Sequence, residues 1–290
     1  MISKEIKLDV TSAGLAQPAQ IAASLHLPAQ TDKSPDQLIL AIHGGGYHRA
    51  YWDPPFADAS YSFARWFTDQ GKAVLAIDML GMGQSSRPEP ESDLSTAIIA
   101  AAHAEALRQI VARWDAKVSV TGIGHSMGGM MLIAQAADYP DMDRIAVLGW
   151  ANEPMILGDA DVATLQAGLI PSGYLATPRP PMRRLFYWDD VPLALIEADE
   201  ATGSTTPATL GRAALTPGIV HDAAARIHVP VLIVQSAVDT SPAPQKETAY
   251  FSGSPKVTLQ ILEAAAHCQN FAGTRVQHWR RLNHWIDATS

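Results

Sequence analysis

"SVTGIGHSMGGMML", residues 119–132, sets a serine among glycines where a strand-like apolar run passes into a helix-like one. The first part, "KVSVTGIG", reads as a buried strand, and "SMGGMMLIAQAADYP" as a helix ended by Pro140. Gly124-His125-Ser126-Met127-Gly128 fits the G-x-S-x-G nucleophile elbow in the strand–turn–helix context that motif requires. Such a turn holds its serine in a strained backbone conformation, with the hydroxyl presented at the sheet's C-terminal edge. Neighbours two residues to either side come so close that a Cβ would clash, hence the glycines. Ser126 also opens a helix, whose free N–H groups favour negative charge beside it.

A dinucleotide-binding turn is the rival reading, because Gly122-x-Gly124 also follows a strand. Its third glycine would fall at position 127, which is Met127. Its acidic residue is wanted ~20 residues on, and Glu153 lies farther off.

Working outward, "LILAIHGGG" and "AVLAID" are solid apolar runs of the kind found in strands covered on both faces. Helical spacing runs through Ser60–Gln70 up to Gly71 and through the Ala-rich Leu94–Ala112. "RIAVLGWA", "VPVLIVQSAVD" and "KVTLQILEAAAH" supply further strands, and an amphipathic helix is expected over Gly273–Ile286. Lys4–Val10 and Gln20–Leu27 alternate as an antiparallel edge would, and "TDKSPDQ" reads as a turn. Strands alternating with helices mean an α/β fold with a mainly parallel, doubly wound sheet. The alternation lapses over Glu153–Asp222, rich in Pro and Gly, which predicts an insertion over one end of the sheet. Residues 1–153 and 223–290 then form the core, and 154–222 a cap.

A serine hydroxyl is a weak nucleophile that needs a base, and the base needs a group to orient it. In a hydrolase elbow the chain order is Ser, acid, His. Asp239 follows the strand "VLIVQSAVD" and His267 the strand "VTLQILEAAAH", so both fall at the edge to which Ser126 points. Glu153 in "GWANEP", after the preceding strand, is the alternative acid. Attack on a carbonyl also puts charge on oxygen, which preorganised donors must meet. "HGGG", residues 43–46, lets the backbone turn its N–H groups inward opposite the N–H of Met127.

With 47% hydrophobic and 17% charged residues, the 290-residue chain has a globular composition. A net charge of −8 argues against nucleic acid or an anionic membrane as main partner. No apolar stretch approaches the ~20 residues needed to span a bilayer. "MISKEIKLDV" has no secretory h-region, so a cytoplasmic protein is expected. Cys268 is the single cysteine, which excludes an intrachain disulfide. No H-E-x-x-H or Cys/His cluster appears, so neither metal nor other cofactor is expected. Oligomeric state, a homodimer included, stays open.

The pieces "HGGGYHRAYW", "LAIDMLGMGQSSRP", "GHSMGG", "VQSAVD" and "AAAHCQNF" resemble the α/β-hydrolase superfamily over nearly the whole chain. The resemblance implies an eight-stranded, mostly parallel sheet flanked by helices, with a cap inserted after strand six. It implies a triad of Ser126, Asp239 and His267. Oxyanion amides would come from Gly45 and Met127, with Gly46 a third candidate, and Asp78 and Arg87 would be structural. Ala266 departs from the glycine usual before the histidine. Members that attack through aspartate carry it at the elbow, which argues against epoxide hydrolase and dehalogenase chemistry here.

The expected function is hydrolysis of a carboxylic ester or lactone of a medium-sized apolar or aromatic small molecule, through an acyl-enzyme. C–C bond, thioester or amide hydrolysis, or a low-turnover receptor of the same fold, are the alternatives. Tyr47, His48, Tyr51, Trp52, Trp150, Met155, Phe186, Tyr187 and Trp188 are aromatic, Met and His residues near the expected mouth. Any one of them is as well explained by packing the cap onto the sheet.

Overall fold

In Gln37–Ile42 the side chains of Leu38, Leu40 and Ile42 enter one hydrophobic cluster, while Ile39 and Ala41 enter a second. That period-two division, both halves apolar, is the mark of a strand with helices on both faces. The computed structural model describes residues 1–29, 34–157, 172–176 and 178–290. The core of the turn expected at "TDKSPDQ" and a large part of the expected cap lie outside the described residues.

Eight strands form the main sheet: β1 (Ile2–Asp9), β2 (Gln20–Leu27), β3 (Gln37–Ile42), β4 (Ala73–Ile77), β5 (Ser119–His125), β6 (Arg144–Leu148), and two more after the insertion. β7 (Tyr174–Ala176) and β8 (Thr205–Pro207) pair antiparallel in a small sheet of their own. β9 (Val231–Val238) and β10 (Val257–Ala266) complete the main one, in the order β1-β2-β4-β3-β5-β6-β9-β10. β1 and β2 are the antiparallel edge, β2 is antiparallel to β4, and every later pairing is parallel. The order reverses at β3, between β4 and β5. The loops after β3 and β5 therefore diverge at a topological switch point, where open α/β sheets bind ligands.

Helices α1 (Phe63–Asp69), α2 (Thr96–Val111) and α3 (Met127–Asp138) follow strands as expected, the first two with starts set by side-chain capping. Ser62 Oγ accepts from Arg65 N–H at 2.9 Å and Ser95 Oγ from Ile98 N–H at 3.2 Å, so α1 and α2 start later than apolar spacing alone predicts. Between β6 and β9 lie α4 (Arg183–Phe186), α5 (Leu193–Glu200), α6 (Ala208–Ala214) and α7 (His221–Ala225). The last helix, α8 (Arg275–Ala288), packs Trp279, Leu282 and Ile286 with Phe63 and Phe67 of α1 on one face of the sheet. α2, α3 and Ala224 of α7 cover the other.

The aromatic residues near the expected mouth divide. Tyr47, Tyr51, Trp52, Trp150 and Tyr187 are buried, whereas Phe186 and Trp188 are half-buried against the second cluster. Most of that aromatic surface packs the molecule rather than lining an opening.

Candidate functional site

At the end of β5 the chain turns through Ser126 with φ 55° and ψ −124°, the one non-glycine with positive φ among the described residues. A Cβ on Gly124 would lie 2.3 Å from the Gly128 carbonyl oxygen. One on Gly128 would lie 2.4 Å from the carbonyl oxygens of both Ile42 and His43. Both glycines are needed because backbone meets backbone. Ser126 N–H donates to Leu148 O at 2.7 Å, and Ser126 O accepts from Gly129 N–H at 2.7 Å. These bonds fix the strained turn while its side chain caps nothing and stays half-buried.

Asp239 and His267 meet through strand register. Along most of β9 and β10 the pairing runs as Leu262 with Ser236, but beyond an irregularity Ala266 pairs with Val238. The shift brings the residues just past the two strands, Asp239 and His267, side by side. His267 Nδ1–H donates to Asp239 Oδ1 at 2.6 Å. The carboxylate also accepts from Thr240 N–H and Ser236 N–H, each at 2.8 Å. Burial pushes the Asp239 pKa up, but His267 and the backbone amides outweigh it and leave the carboxyl below its usual range. An Nδ1–H held by a carboxylate leaves Nε2 as the basic nitrogen.

Both neighbours of Ser126 in space lead to that pair. His125 Nε2–H donates to His267 O at 2.8 Å, and the two imidazoles stand 4.7 Å apart. Gly149, next to the Leu148 that binds Ser126, passes so close that a Cβ there would lie 2.9 Å from His267 Nδ1. No hydrogen bond joins Ser126 to His267 in this structure. Bonds of this kind are often long without substrate.

Glu153 is not part of the cluster. Its carboxylate accepts from Tyr250 Oη at 2.9 Å, while the imidazole goes to Asp239. The position of Glu153, the alternative acid, past β6 carries it toward Tyr250.

Gly45 lies over the Met127 side chain, and the N–H groups of Gly45 and Met127 have no acceptor among the described residues. Two amides at the head of α3 are therefore available for a developing negative charge. Gly46 is different, because its N–H donates to Thr206 Oγ1 at 2.9 Å. The amide of Gly46, the third oxyanion candidate, is thus engaged within the protein.

His43 shapes the same loop, a role that sequence reasoning missed. Its Nδ1–H donates to Gly44 O at 2.8 Å and its Nε2 accepts from Met79 N–H at 3.2 Å. Burial pushes its pKa down to about 4, so the ring is neutral and can accept. Its place directly before the glycines was the available signal. Asp78, expected to be structural, is fully buried and accepts from Arg49 N–H at 2.6 Å, from the Arg49 guanidinium and from Gln84 N–H at 2.8 Å. Arg87 is exposed, 6.0 Å from the Tyr174 ring centre. A polar cavity of about 530 Å³ among Glu5, His26, His48, Arg49, Asp53 and Thr205 includes neither Ser126 nor His267. No group of three or more His, Cys, Asp or Glu among the described residues is arranged to hold a metal ion.

Comparison with known proteins agrees with this architecture. Residues 39–277 match the alpha/beta hydrolase family, and the chain belongs to it. Among solved structures it is similar to a proline iminopeptidase from Mycobacterium smegmatis (16% identity, TM-score 0.68, 99% of this chain and 98% of that one). It is also similar to an esterase from Exiguobacterium antarcticum (15%, 0.67, 98% and 100%) and to a thermophilic esterase from Thermogutta terrifontis (16%, 0.68, 99% and 99%). At such identities the likeness speaks for the fold. A search of curated proteins returns no significant match. No helix among the described residues is long and apolar enough to cross a membrane.

Proposed function

We propose that this member of the alpha/beta hydrolase family is a serine hydrolase of carboxylic esters or lactones of medium-sized apolar or aromatic small molecules. The observation that carries the reading is the Asp239–His267 hydrogen bond beside a serine in a strained elbow. His267 Nε2 takes the Ser126 proton as Oγ attacks the carbonyl carbon. Asp239 fixes the tautomer and stabilises the imidazolium. The Gly45 and Met127 amides receive the oxyanion, His267 protonates the leaving alkoxide, and water activated by the same imidazole releases the acyl group. The reading also places the protein in the cytoplasm, with residues 154–222 as cap and no cofactor in the reaction.

A fluorophosphonate probe and p-nitrophenyl esters of short and medium chain test it. Wild type should label and turn over, and Ser126→Ala should abolish both. Tight ligand binding without turnover would replace the enzyme reading with that of a receptor.

A further inference from the structure

We infer that the inserted segment sets the oxyanion cradle: Thr206, together with Arg179, positions Gly46 and through it the neighbouring Gly45 N–H. The inference rests on the hydrolase reading above. Gly46 has no side chain, so its only handles are its N–H and C=O, and residues of the insertion take both. The N–H donates to Thr206 Oγ1 at 2.9 Å. The carbonyl accepts from Arg179 Nη2 at 2.7 Å and from Ser204 N–H at 2.9 Å. His43 holds the other end of the loop through Gly44 O, so the Gly45 amide hangs between two pinned neighbours.

Arg179 is itself locked. Its Nη1 donates to Asp199 Oδ2 at 3.0 Å, and its guanidinium lies 3.7 Å over the Tyr47 ring centre. Tyr47 Oη donates to the same carboxylate oxygen at 2.8 Å. Arg179 and Thr206 are 4% and 3% exposed, so no water competes freely for these bonds. The insertion also grips the histidine loop, because His267 N–H and Cys268 N–H donate to Leu185 O and Phe186 O at 3.0 and 2.9 Å. This part of the insertion is a fixed wall of the site: swinging it away would release the cradle and the base together.

Thr206→Val removes the acceptor at nearly constant shape, and Thr206→Ser keeps it. In the full chain, hydrogen exchange over residues 43–47 and kcat and KM on p-nitrophenyl butyrate are compared. Thr206→Val should raise exchange there and lower kcat about tenfold at unchanged KM, less than outright loss of an oxyanion donor. Thr206→Ser should match wild type within about twofold. Should Thr206→Val not fold, Arg179→Lys, which keeps the charge beside Asp199 but not the reach to Gly46, must give the same kcat loss. Raised exchange with kcat unchanged overturns the inference, as does a kcat loss that Thr206→Ser shares. A wild type that turns over no ester while the exchange contrast persists sinks the hydrolase reading and leaves Thr206 positioning the loop without a role in turnover.

Discussion

Ser126 and Gly46 stand at the same edge of the sheet, one past β5 and the other past β3, and are held by different means. Ser126 is fixed by backbone: by Leu148 O, Gly129 N–H and two glycines without which main chains would collide. Gly46 is fixed chiefly by side chains from far along the sequence, Thr206 at a separation of 160 residues and Arg179 at 133, with one backbone bond from Ser204 N–H. Backbone-held geometry is indifferent to most side-chain changes and intolerant of one added carbon. Geometry held by side chains fails by degrees, each lost bond loosening it.

The largest effect should come from separating chemistry from scaffold on the backbone-held side. Asp239→Asn keeps one acceptor oxygen, which can still take Ser236 N–H, while its NH2 replaces the oxygen that took Thr240 N–H and His267 Nδ1–H. One backbone bond is lost and the strand ends should largely keep their arrangement. An amide facing His267 Nδ1, however, favours the tautomer with the proton on Nε2, the wrong nitrogen for a base. A kcat lower by about 10³–10⁴-fold is expected, with thermal unfolding within a few degrees of wild type. An equal loss of stability would mean that the carboxylate is scaffold as well.

Breaking the backbone itself should cost less in turnover arithmetic but more in structure. Gly128→Ala puts a Cβ 2.4 Å from two carbonyl oxygens, neither of which can swing aside as a side chain would. The first turn of α3 and the end of β3 would have to part, at about 3 kcal/mol or more. A urea titration reads this as a lower midpoint, accompanied by slower probe labelling at Ser126. A midpoint close to wild type would show that the elbow has slack, and the contrast with Gly46 would weaken.

The same contrast explains what could be read from sequence. The elbow was legible because its demands are local: a glycine two residues either side, a strand before and a helix after. The buried strands were legible because both of their faces are apolar, as Leu38 to Ile42 show. The order of Asp239 and His267 was visible, but the irregularity between Leu262 and Ala266 that aligns them was not. Nothing local marks a two-residue slip between strands. Nor could any spacing show that Gly46 N–H is taken by Thr206, because the partner sits in a segment without periodic pattern. Tyr51 and Trp52 could be read either as mouth or as packing for a related reason, and they pack, since a loop that folds back into the core carries its aromatic residues inward.

The smallest effect is expected at Glu153, the other carboxylate past a central strand. It leaves the sheet at β6 and binds Tyr250 Oη, a contact that raises the tyrosine pKa. Glu153→Gln retains a carbonyl oxygen for that hydroxyl and removes only a charge that no part of the Ser126–His267 cluster touches. Stability should change by less than about 0.5 kcal/mol and kcat by less than about twofold. Paired with Asp239→Asn under one assay, it weighs two acids one strand apart. If Glu153→Gln carried the large kcat loss and Asp239→Asn the small one, the Asp239–His267 bond would be scaffold and the imidazole would have to turn toward β6 in the working state.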